Sequence, residues 1–416
     1  RTIDVLCQMS LKRSRQQPVI LVVEDLHWID QSSEDFFLAL VESLASAAIL
    51  LLATYRPGYQ PPWIGKSYVT QIALPRLTPA DSLTVVHSIG QQDALPQSIA
   101  RTILEKADGN PLFLEELTRV MVTQDGLRPD TTVPDTLHGV LMARLDRLPD
   151  ASKRLLQTAS ILGRTFSASL LQAIWDEPAD LDAGLRELKR FEFLYEEHDT
   201  AESLYVFKHA LTQEVAYESL LASRRRRLHA ATACALEQAY GARLEDAYDR
   251  LAYHYSRAEH TEKAVEYLTR FAEKTAREHA HVEAILALQG ALAHGERLPA
   301  GRARERLRLD LHLRLALSLT ALGRYEETQY RLRQQQDRLE QLHDPWLSGR
   351  YALLQGQVAS YLGDWDEAAR RAGAGPPDPG PGLSRAGHGA LLDGTSGAGR
   401  GVLSARHCSP GASPGG

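Results

Sequence analysis

Val19 to Val23 form an unbroken apolar run that stops abruptly at the acids Glu24 and Asp25, with a third acid at Asp30. A short, β-branched run of this kind predicts a parallel strand buried on both faces. Downstream, "SSEDFFLALVESL" (32–44) gathers Phe36, Phe37, Leu40, Val41 and Leu44 on one face. That is the spacing of an amphipathic helix, with Ser32 or Ser33 as its cap and Asp30 starting the turn before it. "AILLLATYR" (48–56) repeats the buried-strand pattern. Strand, helix and strand make a βαβ unit of an open α/β sheet. "TIDVLCQMSLKR" (2–13) reads as a helix ahead of it, and "SYVTQIAL" (67–74) as a strand after it.

The period then changes. Residues 76–125 carry helical patterns in "TPADSLTVVHSI", "LPQSIARTILEKADG" and "NPLFLEELTRVMV", and 126–135, with a glycine and two prolines, reads as a linker. In 133–222, helices at "ASKRLLQTASIL" and "LDAGLRELKRF" precede two short aromatic strands, "FEFLYE" and "LYVFK", around a polar turn at 197–203. A helix, "ALTQEVAYESLL", follows, and the order suggests a winged-helix domain. From 223 to 372 the pattern is helical throughout. "LGRYEET" (322–328) and "LGDWDEA" (362–368) repeat at a spacing of 40, and "AEHTEKA" (258–264) is a weaker copy. A tight turn followed by a small residue at a helix crossing predicts repeats of the tetratricopeptide kind.

Residues 373–416 are dense in Gly, Pro and Ala. Such composition cannot bury a core. The segment is expected to be a flexible tail or a frame-shifted end. The first residue is Arg1 rather than Met, and the sequence is expected to be a fragment of a longer chain. The five expected parts are therefore a truncated α/β core (1–75), a helical lid (76–125), a winged-helix-like domain (133–222), helical repeats (223–372) and the tail (373–416).

Charge narrows the classes of partner. The formal net charge is -6 over 416 residues, which implies no general affinity for nucleic acid or membrane. The run Arg224 to Arg227 reads mainly as a solvated helix face. The apolar stretch 43–55 is too short to span a bilayer. The 3 cysteines follow no ligand or disulfide spacing, which fits a reducing, cytoplasmic setting.

An apolar strand ending in acids is the Walker B arrangement. The carboxyl edge of a parallel sheet is where open α/β folds bind ligands. Glu24 there takes the Mg²⁺ position, with Asp25 beside it as second metal neighbour and catalytic base toward ATP. Arg56, at the tip of the next strand, is placed to meet a γ-phosphate. Gly109 to Pro111 form a turn opening a helix in the lid, where the proline can pack on adenine. Trp28 reads as core. A phosphate loop of the form G-x-x-x-x-G-K-[ST] is absent: Gly65, Lys66 and Ser67 have Gln60 where the first glycine belongs. The loop is expected upstream of Arg1.

"VVEDLHWID", "TYRPGY", "GNPLFLEEL" and "FKHALTQEVAYESLL", in this order, resemble the AAA-type ATPase module of signal-transduction ATPases with numerous domains. The wording is similar to that of multidomain bacterial class III adenylate/guanylate cyclases. Related ATPases often carry Asp where this chain has the longer Glu24. The resemblance covers about residues 1–372. It implies an ATP- and Mg²⁺-dependent regulatory switch, a cyclase domain in cis upstream, and repeats that bind protein partners. It also implies that His209, in "FKHAL", approaches the β-phosphate. Two alternatives stay open. One is an ATP-dependent transcription regulator; the other is a scaffold of repeats without catalysis.

Overall fold

The structure, a computed structural model, describes residues 2–90, 96–122, 134–176, 180–197 and 203–372. The expected linker at 126–135 and polar turn at 197–203 fall largely outside the described residues, and the tail at 373–416 wholly so. The chain divides into two compact units, 1–115 and 116–416.

The first unit opens with α1 (Thr2–Ser14), β1 (Val19–Val23), α2 (Gln31–Leu44) and β2 (Ile49–Ala53). β1 and β2 are parallel neighbours, in register from Val19 opposite Ile49 to Val23 opposite Ala53. This is the expected βαβ unit. Its burial is not as expected: Val19, Leu21 and Val23 are half-buried, while Ile20 is 67% and Val22 58% exposed. Leu50 and Leu52 repeat the pattern on β2. The reason is the side-chain period of two, which splits each strand between faces. One face packs with α2 through Leu26, Val41, Phe37, Leu51 and Trp63. Among the described residues nothing covers the other face. Neither Ser32 nor Ser33 caps α2. Asp30 does, accepting from the Ser33 amide at 2.9 Å and the Ser33 hydroxyl at 2.7 Å.

Residues 54–78 are irregular, so the expected strand at 67–74 does not form. Its apolar residues find no partner strand, and Ile72 and Leu74 stand in solvent. Three helices follow: α3 (Pro79–Gly90), α4 (Gln97–Ala107) and α5 (Pro111–Val122), the last running on into the second unit.

The second unit begins with α6 (Leu137–Asp146), α7 (Asp150–Ser160), β3 (Thr165–Ser167), α8 (Ala168–Ile174), α9 (Leu181–Arg190), β4 (Leu194–Glu197), β5 (Leu204–Phe207) and α10 (Ala210–Glu218). The antiparallel sheet runs β3-β5-β4. Its core holds Leu155, Phe166, Leu171, Leu185, Leu188, Phe193 and Phe207. β3 is only three residues long. Too short for alternation to register, it was not expected from sequence.

Helices then continue without strands: α11 (Ala222–Tyr240), α12 (Tyr248–Arg257), α13 (Thr261–Arg277), α14 (His281–Gly295), α15 (Arg302–Ala321), α16 (Tyr325–Arg333), α17 (Gln336–Leu342), α18 (Pro345–Tyr361) and α19 (Trp365–Ala372). From α11 to α16 each helix packs on the next, α17 packs on α15, and α18 packs on α15, α16 and α19, around a chain of apolar clusters from Leu236 and Leu251 through Leu288 and Leu315 to Leu332 and Leu354. The repeat turns are nearly superimposable in their bonding. After α15, Leu322, Gly323 and Arg324 donate amides to Ser318, Thr320 and Leu319; after α18, Leu362, Gly363 and Asp364 donate to Val358, Ser360 and Ala359. Gly323 (φ 74°) and Gly363 (φ 79°) take the left-handed conformation that closes such a turn.

The weaker copy at 258–264 closes the same way, with Glu259 at φ 59°. A fourth copy follows α13, where Glu278, His279 and Ala280 donate to Lys274, Ala276 and Thr275 and His279 sits at φ 63°. Without a glycine to mark it, this turn is silent in the sequence. Among the described residues no helix is long and apolar enough to cross a membrane.

Candidate functional site

The carboxyl ends of β1 and β2 are held together by backbone bonds that continue past the sheet. The Thr54 amide donates to the Val23 carbonyl at 2.9 Å, and the Leu26 amide to the Thr54 carbonyl at 2.8 Å. Between them the Asp25 amide donates to the Thr54 hydroxyl at 3.1 Å. Asp25 itself has φ 55° and ψ 40°, a left-handed conformation that aspartate tolerates better than most residues. The turn lets the chain leave the strand sharply. Leu26 then drops into the core at 1% exposure, while Glu24 remains exposed and Asp25 half-buried. Among the described residues neither carboxylate makes an ion pair or hydrogen bond. Two acids therefore stand at the mouth of a parallel sheet with ordered backbone and uncommitted oxygens.

Arg56 lies two residues beyond Thr54 in an exposed loop. The loop is anchored on both sides: at Thr54 by β1, and at Tyr59, whose hydroxyl donates to the Glu34 carboxylate at 2.5 Å and whose amide donates to the Arg56 carbonyl at 3.3 Å. Burial, with the neighbouring Glu34 carboxylate, raises the Tyr59 phenol well above its ordinary range, so it stays a donor. The Arg56 guanidinium sits 5.6 Å from the centroid of the Trp28 ring. Trp28, expected in the core, is 67% exposed. The short helical turn Leu26–Trp28 buries Leu26 and turns the indole outward.

Asp30 resolves differently from the other two acids. Its carboxyl is held below the usual carboxylate range by the bonds from the Ser33 hydroxyl and amide. Its work is that of a helix cap. The tripeptide Gly65–Ser67 lies in turns rather than at a helix start, and Lys66 pairs with Glu42 at 3.4 Å. It does not have the strand–loop–helix setting of a phosphate loop.

Gly109 has φ 71°, and a Cβ there would lie 2.5 Å from the Leu77 carbonyl oxygen. Its own carbonyl accepts from the Leu77 amide at 2.9 Å, and Arg76 donates to Asp108. The glycine is thus required by a close backbone approach. Pro111 is exposed at the first turn of α5, where Asn110 caps by accepting from the Phe113 amide at 3.1 Å. His209 belongs to the second unit and occupies the cap position of α10, half-buried, without a side-chain cap bond. The first unit brings Glu24, Asp25 and Arg56 to one edge. Thr54, the clamp between them, was missed because a lone threonine after an apolar run carries no chemical signal.

The Arg224–Arg227 run is largely spent within the chain. Arg225 lies over the Tyr217 ring at 4.7 Å, and Arg226 pairs with Glu259 at 2.6 Å.

No family model matches this chain. An uncharacterized protein of Rhizobium meliloti (strain 1021) is 26% identical over 336 residues, covering 78% of this chain and 31% of that protein. The chain thus spans about a third of the length of that relative. Among solved structures it is similar to a Signal Transduction ATPase with Numerous Domains (STAND) protein with a tetratricopeptide repeat sensor from Pyrococcus horikoshii. The identity is 13% and the TM-score 0.43, over 89% of this chain and 57% of that one.

Proposed function

We propose that this chain is the ATPase-to-repeat portion of a cytoplasmic signalling protein in which ATP and Mg²⁺ set a conformational state and helical repeats engage protein partners. The observation that carries this reading is the Asp25–Thr54 clamp. It fixes two uncommitted acids and an arginine at the carboxyl edge of adjacent parallel strands, where open α/β sheets act on ligands. Glu24 and Asp25 suit a hard divalent cation, whose preferred ligands are carboxylate oxygens. With ATP bound, Mg²⁺ would neutralise phosphate charge; Asp25 would orient the attacking water, and Arg56 would meet the terminal phosphate. Gly109 and Pro111 would border the base.

The phosphate-binding loop is not supplied by these residues. The bare face of Ile20, Val22, Leu50 and Leu52 supports its coming from elsewhere in a longer protein, because parallel sheets are stable when covered on both sides. The element order α7, β3, α8, α9, β4, β5, with β3 beside β5, supports reading 133–222 as a winged helix. The four equivalent turns support tetratricopeptide-like repeats. A cyclase domain in cis is the output suggested by the wording of the motifs.

The test is calorimetric titration of the full-length protein with MgATP. Micromolar or tighter binding, weakened at least tenfold by Arg56→Ala, is expected. Absence of binding by a folded full-length protein refutes the reading.

A further inference from the structure

Trp28 is an oddity of the first unit. An indole normally contributes one of the largest apolar areas in a core. Here it is 67% exposed and belongs to no buried cluster. Its ring contacts are the His27 imidazole, with centroids 4.8 Å apart, and the Arg56 guanidinium at 5.6 Å. Arg56 is equally particular: its backbone is tied down on both sides, through Thr54 and Tyr59, yet its side chain is exposed. Among the described residues it makes no ion pair, and the face of Trp28 is its contact. Only the side chain is free to relocate.

We propose that Trp28 is a positioning residue that seats the Arg56 guanidinium while no nucleotide is present and releases it to the terminal phosphate of ATP. The proposal rests on the nucleotide reading above and adds to it where Arg56 waits. An exposed cation–π contact is strong enough to bias a flexible side chain and weak enough to be exchanged. A guanidinium–phosphate pair is charge-assisted and bidentate, so it wins once phosphate arrives. Seating costs part of the binding energy of ATP, because the ring must give up the cation first. Removing the ring should therefore tighten ATP, the opposite of what loss of a structural tryptophan would do.

The test uses the full-length protein labelled with 5-fluorotryptophan, the Trp28 resonance being assigned with Trp28→Phe. Without nucleotide, Arg56→Met should shift that resonance. MgATP should move the wild-type resonance toward the Arg56→Met position, with a much smaller response in Arg56→Met itself. Trp28→Leu should tighten MgATP by about two- to fivefold, and this gain should vanish in the Arg56→Met background. An unshifted resonance in nucleotide-free Arg56→Met overturns the seat. An equal response to MgATP with and without Arg56, or weaker binding by Trp28→Leu, overturns the exchange. If the full-length protein binds no ATP, the nucleotide reading fails and the exchange with it, while the Arg56→Met comparison still decides whether the guanidinium sits on the ring.

Discussion

Glu24 and Glu116 both lie just beyond apolar runs, Glu24 directly and Glu116 after Glu115, and they meet opposite surroundings. Glu24 stands exposed at the end of β1 with no partner among the described residues. Glu116 is fully buried on α5, paired with Arg144, whose guanidinium also donates to the Phe191 carbonyl at 2.7 Å and lies 4.4 Å from the Phe193 ring centroid. The contrast extends through both units. In the second, Glu192 accepts from Arg119 and Lys208, and Glu237 from Tyr267 and Lys263. Arg350 and Arg314 share Asp310 across α15 and α18. Charges there hold helices in register. At the sheet edge of the first unit the backbone is bonded with equal care, yet the charges are left in solvent. Order without electrostatic commitment is what a site for an external, oppositely charged ligand requires.

The largest expected separation between the two classes comes from Asp25→Asn. In the full-length protein it should lower ATP hydrolysis by about 10²–10⁴-fold, the range for losing a positioned general base. It should change the unfolding free energy by no more than about 0.5 kcal/mol, because the half-buried carboxylate has no hydrogen-bond or ion-pair partner to lose among the described residues. A large stability loss would move Asp25 into the class of Glu116. Glu116→Ala should do the reverse. Leaving Arg144 buried without its partner should cost about 3–5 kcal/mol, read from denaturant unfolding of the second unit. A loss under 1 kcal/mol would mean that the pair is solvated and the contrast false.

The next effect is a pH dependence confined to the second unit. His229 and His254 are buried with their Nδ1 atoms 2.9 Å apart, and the Tyr217 hydroxyl lies 3.1 Å from His229 Nε2. Such a chain holds together when both imidazoles are neutral, one Nδ1 donating and the other accepting. Burial lowers both pKa values; for His229 the neighbouring His254, Arg257 and Arg225 add to it, and for His254 Arg250 does. Tyr253 packs against both rings, edge-on. The folded pKa values lie below the unfolded value near 6.5, so the unfolded chain binds protons first as pH falls. Stability is complete above about pH 6.5 and declines below it, by up to about 1.4 kcal/mol per pH unit for each histidine. Unfolding midpoints from pH 8 to 5 should show this decline, and His229→Gln/His254→Gln should reduce its slope without abolishing it, because burial also lowers the pKa values of His281, His294 and His312. An equal slope in the double variant would assign the decline to other groups.

These contrasts bear on what the sequence could disclose. The βαβ unit, the acids at its edge and the helical repeats are legible because apolar period and turn chemistry are local. The bare sheet face is not, since an unbroken apolar run reads the same whether one face or both are covered. Trp28 departs from expectation for a related reason: its type predicts burial, and only the sharp turn at Asp25 sends it outward. Thr54 acts through its hydroxyl and carbonyl on a strand 29 residues away in sequence, and pairing at that range has no local signature. The sequence offers Ser32 or Ser33 as the cap of α2, whereas Ser33 is the donor to Asp30, because Asp, Ser and Thr compete for that position on nearly equal terms.

The repeat turns give the finest discrimination. Gly323 and Gly363 occupy left-handed positions at no steric cost, whereas Glu259 and His279 hold the same conformation with a Cβ that resists it. The bonding around all four is the same, so the difference should be carried by the side chain at the closing position. Gly363→Ala should therefore destabilise the repeats, and His279→Gly should stabilise them, each by about 1 kcal/mol. Glu259→Gly should gain less, because Glu259 also accepts from Arg226 at 2.6 Å; as an exposed pair that bond offsets a few tenths of a kcal/mol. Comparing the gain from Glu259→Gly in the wild-type background with its gain in the Arg226→Met background, by urea unfolding, separates the two contributions. If His279→Gly proves destabilising, the histidine must be held by more than backbone geometry, and the four turns are alike in bonding but not in what fixes them.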